Sequence, residues 1–361
     1  MTQLRTVQVL GGGSAGSSAH VRSLAAGLVA RGVRVTVCAP VDVDRAYDFG
    51  GSGAHHVAVP RRGDPASVAT LRAACAGADV VHAHGLNAAV RAAIALGGQR
   101  IPLVVTWHTR AQVEGARAHL VRLLERRAVK AAAVVLGTSS ELVDRARSRG
   151  ARDARLAPVA LPAPNTRPGG PESKARAELG AVERPLLMAV GSLTPEQGYD
   201  ILLDAAATWR ALDPAPLLAI AGEGRERGRL QRRIDAEGLP VRLIGRRDDI
   251  AELLAAADIA LLPSRWEARS VLAQEALRLG VPLVATAVGG VPELVGDAAE
   301  LVPYGNAAAL SDAVVRLLGD PDRRDWLTTA GRAQAETWPT EDETIAQVLC
   351  VYDELAQAPR R

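Results

Sequence analysis

Aromatic residues are scarce in this chain of 361 residues, with one Phe, four Tyr and five Trp. They are scattered and form no run on which bases could stack, so we do not expect a nucleic-acid-binding protein. The three cysteines, Cys38, Cys75 and Cys350, are far apart and lack C-x-x-C spacing. We therefore expect neither a disulfide framework nor a cysteine zinc site, and a reducing cytoplasm fits this usage.

Long apolar runs are missing as well. No run reaches the roughly 20 residues that a helix needs to span a bilayer. The N-terminal stretch "MTQLRTVQVL" leads directly into a strand pattern and lacks the features of a signal peptide. We expect a cytoplasmic protein, and 361 residues with 48% hydrophobic content are enough for about two domains with cores of their own.

An acidic residue is missing where a dinucleotide-binding protein needs one. Residues 9–21, "VLGGGSAGSSAHV", contain G-x-G-x-x-G at Gly11, Gly13 and Gly16, between a strand and a helix. A nicotinamide-binding unit also requires an acidic residue about 20 residues further on, which holds the ribose. The next strand, "VRVTVCAP", ends at Pro40 instead. The glycine loop therefore predicts a phosphate contact without a bound dinucleotide.

Charge is distributed unevenly. Residues 1–165 contain 21 Lys/Arg and 10 Asp/Glu, whereas the remainder contains 22 and 30. This asymmetry indicates either an acidic partner for the first half or two oppositely charged, solvated surfaces that face each other across a cleft. Both interpretations stay open.

Short apolar strands alternate with amphipathic helices, a pattern typical of parallel sheets covered on both faces. In the first half we predict strands at 5–10, 33–38, 55–59, 79–83, 102–107, 133–137 and 155–159, and helices at 18–31, 66–76, 86–97, 113–130 and 139–149. In the second half we predict strands at 186–191, 216–221, 241–244, 258–262, 282–285 and 299–302. We expect domains at 1–165 and 185–340, a linker at 166–184, and a C-terminal helix at 341–361 that packs back toward the first domain.

Two glutamates eight positions apart mark the most informative segment, residues 257–286. A buried strand leads into a Pro-Ser loop that contains Glu267. Ser270 is placed to cap the following helix, which carries Glu275 and ends at Gly280. Such a pair is often only two solvated carboxylates, but the strand, loop and helix around it favour a binding site.

The start of this helix predicts a phosphate site, because the N–H groups of Val271 and Leu272 have no carbonyl within the helix to accept their hydrogen bonds. Glu275, one turn further on, could accept two adjacent ribose hydroxyls. Glu267, in the loop, could hold the hydroxyls of a sugar beyond the phosphates. These three contacts together describe a nucleotide-sugar site.

Several other residues have two interpretations each. His108 ends a buried strand and either borders a reaction centre or is a hydrogen-bonded core residue. His82 and His84 point the same way from one strand and would suit a metal ion, but no third ligand is evident, so we favour ordinary core histidines and no metal. We interpret "DVD" at 42–44 as a turn.

The sequence resembles the retaining glycosyltransferases of family 4, which have the GT-B fold of two Rossmann-like doubly wound domains facing a central cleft. The resemblance covers most of the chain in order and is carried by these stretches: the glycine loop at 11–16, "DVVHAHG" at 79–85, "VVTWHT" at 104–109, "SSELVDRARSRGA" at 139–151, "MAVGSLTPEQGYDILLDAA" at 188–206, "AIAGEG" at 219–224, "LIGRRDDIAELLAAADIALLPS" at 243–264, the E-x7-E segment, "TAVGGVPELVGD" at 286–297 and "LVPYGN" at 301–306. It implies that a nucleotide-sugar donor binds the C-terminal domain and that the sugar passes, with retained configuration, to an unknown acceptor on the N-terminal domain.

The resemblance also implies roles for single residues. The first glutamate of the motif, Glu267, would contact the donor sugar, and the second, Glu275, the nucleotide ribose. His108 would border the reaction centre, and Gly11 and Gly13 would lie near the donor phosphates. No metal or other cofactor is implied.

The chain departs from the family in the loop that neutralises the leaving diphosphate. Ser192 and Gln197 occupy the positions of an Arg and a Lys. By position, Arg225, Arg265 and Arg269 are the candidates to replace them, and Arg269 could reach over the helix start. The alternative is a catalytically inactive GT-B protein that serves as a binding or assembly partner. A sugar-nucleotide epimerase of similar fold fits the E-x7-E segment less well.

A basic amphipathic helix is predicted within residues 110–130. Its basic residues are Arg110, Arg117, Arg122, Arg126, Arg127 and Lys130, and its apolar residues are Leu120, Val121, Leu123, Leu124 and Val129. Such a helix either lies on an anionic membrane or packs in the ordinary way. In the first case we expect a lipid-linked acceptor and a cytoplasmic protein that contacts the membrane. In the second case we expect a small-molecule acceptor and no membrane contact.

Overall fold

A computed structural model describes residues 3–12, 15–61, 64–111, 115–160 and 172–357. The chain divides into two compact units, one formed by Met1–Pro162 with Pro339–Arg361 and the other by Ala163–Trp338. Each unit is built on one parallel sheet. The predicted α/β class, with two Rossmann-like doubly wound units, is confirmed.

The first unit has a seven-stranded sheet in the order β3-β2-β1-β4-β5-β6-β7. Its strands are β1 (Arg5–Leu10), β2 (Arg34–Ala39), β3 (His55–Ala58), β4 (Val80–His84), β5 (Leu103–Trp107), β6 (Val134–Gly137) and β7 (Ala154–Leu156). The helices between them are α1 (Ala15–Ala30), α2 (Val41–Tyr47), α3 (Pro65–Cys75), α4 (Leu86–Ala95), α5 (Ala116–Ala131) and α6 (Ser140–Ser148). Strands β4 and β5 are buried along their whole length, as continuous apolar strands between two helical layers must be.

The second unit has a six-stranded sheet in the order β10-β9-β8-β11-β12-β13. Its strands are β8 (Leu186–Val190), β9 (Leu217–Ala221), β10 (Val241–Gly245), β11 (Ile259–Leu262), β12 (Leu283–Thr286) and β13 (Glu300–Val302). Its helices are α7 (Glu172–Leu179), α8 (Tyr199–Trp209), α9 (Arg227–Glu237), α10 (Ile250–Ala255), α11 (Val271–Leu279), α12 (Val291–Val295), α13 (Ala307–Gly319) and α14 (Pro321–Glu336). Two apolar clusters cover the two faces of this sheet.

The last helix, α15 (Glu341–Gln357), belongs to the first unit. Ile345 and Tyr352 are buried in the core beside α1, and an added Cβ at Gly27 would lie 2.1 Å from the Ile345 side chain. Gly27 therefore lets the two helices approach closely, and the chain's C-terminal segment completes the core of its N-terminal unit.

One local prediction needs correction. Residues 42–44, interpreted as a turn, lie in α2, where Asp42 and Asp44 occupy the first helical turn and Val43 is buried. Acidic side chains near a helix N-terminus interact favourably with its dipole, and burial of Val43 adds to this. Within the segment 166–184, predicted as a linker with one short helix, lies α7, and Leu179 and Ala181 are buried in the second unit's core.

Among the described residues, no helix is both long enough and apolar enough to cross a bilayer.

Candidate active site

The predicted donor site lies at the carboxyl edge of the second sheet. Strands β8 and β11 are neighbours there, and the chain leaves them toward opposite sides of the sheet, to β9 and to β12. Ligands of doubly wound sheets bind at such a switch point. The loop after β8, residues 191–198, and the loop after β11, residues 263–270, therefore contain the candidate site.

Glu267 is the carboxylate that joins these two loops. Its Oε1 accepts a hydrogen bond from Gln197 Nε2 at 3.2 Å and another from Ser264 Oγ at 3.0 Å. Burial raises the pKa of Glu267, and the two hydrogen bonds partly oppose that rise. Ser264 is itself fixed, because Thr286 Oγ1 donates to its carbonyl at 2.6 Å. Two hydrogen bonds to Oε1 thus hold the carboxylate in one orientation.

Close backbone contacts hold the loops in place, and glycines permit them. Gly198 has a φ of 71°, and an added Cβ would lie 2.0 Å from the Pro263 carbonyl oxygen. At Gly289 an added Cβ would lie 2.0 Å from the Glu267 carbonyl oxygen, to which the Gly290 N–H also donates at 2.8 Å. A side chain at Gly198 or Gly289 would push the loops apart.

Helix α11 begins as the sequence predicts. Ser270 Oγ accepts a hydrogen bond from the Ala273 N–H, and the helix ends at Gly280 with a φ of 76°. This confirms the predicted cap and stop, and leaves the N–H groups of Val271 and Leu272 at the open end of the helix. Those groups and the helix dipole make this end a favourable position for phosphate.

Glu275 lies on the second turn of α11 and is half-buried. Burial raises its pKa, and the nearby Arg278 lowers it. A partly desolvated carboxylate at this place can accept hydrogen bonds from vicinal hydroxyls.

The loop that contains Ser192 and Gln197 lies beside two arginines. Ser192 is exposed, and Glu196 lies 3.8 Å from Arg225. Hydrogen bonds from its own backbone N–H and from the Thr194 side chain lower the pKa of Glu196, and the charges of Arg225 and Arg265 lower it further. The backbone N–H of Arg265 donates to the Glu196 carbonyl at 2.9 Å. Two arginines are therefore neighbours of this loop.

Arg269 lies elsewhere. Its guanidinium carbon is 5.7 Å from the centre of the Trp338 ring, and that of Arg278, in the last turn of α11, lies at the same distance from that ring. The Arg269 guanidinium thus lies against the Trp338 ring. Burial lowers the pKa of Arg269 to about 10, while the charge of Glu293 raises it.

The first unit has its own switch point, between β1 and β4. Gly11 follows β1, and an added Cβ there would lie 3.2 Å from the backbone nitrogen of Ala88 in α4. The glycine loop thus passes close to the start of α4. Gly13 lies outside the described residues.

Histidines fill the carboxyl end of this sheet. His82 and His84 lie on the same face of β4, as predicted, with ring centres 4.2 Å apart. Tyr352 Oη accepts a hydrogen bond from Gln8 Nε2 at 2.9 Å, and so its own proton points to His82 Nδ1 at 2.6 Å. The His82 Nε2–H then donates to Thr106 Oγ1 at 2.6 Å. His82 is a fully hydrogen-bonded core residue.

His84 connects the same network to His108. The His84 Nε2–H donates to Gln8 Oε1 at 3.0 Å, which leaves a lone pair on His84 Nδ1, 3.2 Å from His108 Nε2. His20, from α1, has its ring centre 5.4 Å from that of His108. Burial lowers the pKa of His20 to about 4 and holds the pKa values of His84 and His108 well below 6.5. All three rings are therefore neutral at pH 7.

Three residues of these sites carry no signal in the sequence. Ser264 is one of many loop serines, and its role depends on how its loop folds beside Glu267. His20 lies in a helix far along the chain from His84 and His108. Tyr352 reaches Gln8 across 344 positions. Only tertiary contacts identify them.

Two family models match the chain. One, described as glycosyl transferases group 1, matches residues 172–334. The other, described as a glycosyl transferase 4-like domain, matches residues 15–162. The two matches correspond to the second and the first unit.

Individual relatives of the chain are also glycosyltransferases by name. The chain is 34% identical to a GDP-mannose-dependent monoacylated alpha-(1-6)-phosphatidylinositol monomannoside mannosyltransferase of Corynebacterium glutamicum, over 50% of this chain and 52% of the relative. It is 31% identical to a D-inositol 3-phosphate glycosyltransferase of Geodermatophilus obscurus, over 78% of this chain and 69% of the relative. The chain thus spans about half the length of the first relative and over two thirds of the second.

A solved structure shows the same fold. HepE from Anabaena, in complex with UDP, superposes with a TM-score of 0.82 at 21% identity, over 98% of this chain and 100% of HepE.

Proposed function

The chain belongs to the group 1 glycosyl transferases, and we propose that it moves a sugar from a nucleotide-sugar donor to an acceptor hydroxyl with retention of configuration. The bond between the anomeric carbon and the diphosphate oxygen breaks, and a bond from that carbon to the acceptor oxygen forms. The acceptor's proton leaves with the nucleoside diphosphate. We propose that the protein acts in the cytoplasm and that the transfer needs no metal or other cofactor.

One observation supports the donor site above all others. Glu267, Gln197 and Ser264 come together at the switch point of the second sheet, beside the N-terminus of α11. Glu267 would hold the sugar hydroxyls, and the N–H groups of Val271 and Leu272 would stabilise charge on the leaving phosphate. Glu275 would bind the ribose.

His108 would act at the reaction centre. A neutral imidazole there can accept a hydrogen bond from the sugar or stabilise positive charge at the anomeric carbon as the donor bond breaks. Its ring orientation is supported through His84 and Gln8.

A donor panel tests the proposal. The full chain is incubated with UDP- and GDP-sugars and candidate acceptors, inositol phosphate and phosphatidylinositol mannosides among them because relatives act on these classes by name. Products are detected by mass spectrometry, and NMR of the anomeric proton reports the configuration. An inverted product would refute retention. Transfer from no donor, combined with no thermal shift by any nucleoside diphosphate, would favour the inactive scaffold.

The missing cations lead to a calorimetric prediction. We expect Arg265→Ala to weaken nucleoside diphosphate binding by about tenfold, the lower end for a hydrogen bond to a charged group, because Arg265 is exposed. Nucleoside binding should hardly change, and Gln197→Lys should tighten diphosphate binding. UDP, GDP and their nucleosides are titrated into each variant.

Arg269→Ala is the matched comparison. The position of Arg269 beside Trp338 predicts a smaller effect on diphosphate binding than that of Arg265→Ala. The reverse order would assign the replaced charge to Arg269.

The basic helix α5 supports contact with a membrane. Leu120 and Leu123 are 57% and 61% exposed, and at 100° per residue they share the outer face with Arg127 and Lys130. The buried side contains Glu125, Ala128 and Val129. We propose that this outer face lies on anionic lipid, where leucines enter the headgroup region and the basic residues meet the phosphates.

Vesicle sedimentation tests the lipid contact. We expect Leu120→Asp with Leu123→Asp to lower binding to phosphatidylglycerol vesicles by about tenfold or more, since two exposed leucines that would enter the headgroup region are replaced by acids. Ile94→Asp, another exposed apolar position on a helix of the same unit, should leave binding unchanged. If the wild type fails to sediment at low salt, the membrane contact is wrong.

A further inference from the structure

Three histidines meet at the carboxyl edge of the first sheet, and the proposed transfer uses only one of them. His20 comes from α1, His84 is the last residue of β4, and His108 follows β5. Each presents one ring nitrogen, and these three atoms lie within 4.8 Å of one another. Because β1, β4 and β5 are adjacent strands, their carboxyl ends bring the three segments together.

Two of the three ring nitrogens already have the separation that a metal ion requires. In a tetrahedral zinc site with Zn–N bonds of about 2.0–2.1 Å, two ligand nitrogens are about 3.3 Å apart. His84 Nδ1 and His108 Nε2 are 3.2 Å apart. The His20 ring nitrogen lies within 4.8 Å of both and must approach them more closely to complete such a site.

The surroundings of His84 also resemble those of a metal ligand. Its Nε2–H donates to Gln8 Oε1, so the Nδ1 lone pair faces the other two rings. A hydrogen bond of this kind fixes the tautomer and orientation of a ligating histidine.

We propose that His20, His84 and His108 form a binding site for a divalent transition-metal ion such as Zn²⁺, with water as the fourth ligand. Imidazole ligands favour Zn²⁺, Co²⁺, Ni²⁺ or Cu²⁺ over Mg²⁺ and Ca²⁺, which prefer oxygen. All three ligands come from the first unit.

Occupation of this site would affect the transfer, and this consequence rests on the proposed function. The ion takes the His108 nitrogen that faces His84 and fixes the ring. We therefore expect Zn²⁺ to reduce transfer by the wild type and to have less effect on His20→Ala.

Cobalt spectroscopy tests the site without using activity. We expect wild-type protein, treated with chelator and then titrated with Co²⁺, to develop the visible absorption of four-coordinate Co²⁺ at one equivalent, and Zn²⁺ to abolish it. Excess Mg²⁺ should have no effect. His20→Ala should weaken binding by at least about tenfold. His119→Ala, which removes an exposed histidine from the same unit, should bind like the wild type.

Further variants keep the test decisive if His20→Ala unfolds. His108→Ala removes a less buried ligand, and Gln8→Met removes the hydrogen bond to His84, with an expected loss of about 10–100-fold in affinity. Circular dichroism checks that each variant is folded. Absence of the cobalt spectrum in the wild type, or equal affinity in all folded variants, would overturn the metal site and leave the proposed transfer unaffected. Failure of the donor panel would leave the cobalt result standing.

Discussion

Replacement of Glu267 by glutamine is expected to lower kcat by about 100-fold, equivalent to about 2.7 kcal/mol at 25 °C. Glutamine keeps an oxygen that can accept hydrogen bonds from Gln197 and Ser264, so the loop should keep its position. The variant loses the negative charge that would hold the sugar hydroxyls, and a hydrogen bond to a charged group contributes about 1.5–3 kcal/mol. Initial rates with the donor found in the panel measure the effect.

Glu275→Gln provides the matched comparison in the same motif. It should weaken nucleoside and nucleoside diphosphate binding, because Glu275 is proposed to contact the ribose. Glu267→Gln should leave the affinity for nucleoside diphosphate nearly unchanged, because the sugar is absent from that ligand. If Glu267→Gln retains wild-type kcat, Glu267 has no role in the transfer. If both variants lower only the affinity, the two glutamates do not have the separate roles proposed for them.

Glu125→Ala is expected to destabilise the first unit by about 3–5 kcal/mol, the range for removing one partner from a buried ion pair. Glu125 is 3% exposed on α5. Its Oε1 accepts from Arg145 Nε and Nη2 at 2.9 and 2.7 Å, and its Oε2 accepts from Arg149 Nε at 2.8 Å. Without the carboxylate, two largely buried guanidinium groups on α6 and its C-terminal end lose their counter-charge.

Urea unfolding of the full chain, followed by circular dichroism, measures this loss. Asp144→Asn is the control, because Asp144 and Arg147 form an exposed ion pair on the same helix α6. We expect the control to change stability by no more than about 0.5 kcal/mol. A loss below about 1 kcal/mol for Glu125→Ala would mean that the two arginines find water or other partners.

Periodicity and motif spacing predicted the two tandem sheets and most of their elements. Continuous apolar strands between amphipathic helices can be buried in few other ways than a doubly wound sheet. The start and end of α11 could also be predicted from the sequence, because Ser270 and Gly280 each act on the helical turn next to them. The error at 42–44 has the opposite cause. Asp, Val and Asp suit a turn locally, and burial of Val43 against the rest of the unit favours the helix.

What the sequence by itself determined is therefore local: the strand and helix order, the capped helix of the E-x7-E segment and the glycines that end elements. The tertiary structure decided which side chains meet. It brought Gln197 to Glu267, turned Arg269 toward Trp338, and placed His20 beside His84 and His108. The physical reason is the number of residues along the chain over which each interaction acts. Backbone geometry and capping act over a few residues, whereas contacts between loops depend on how strands distant in sequence are ordered in the sheet.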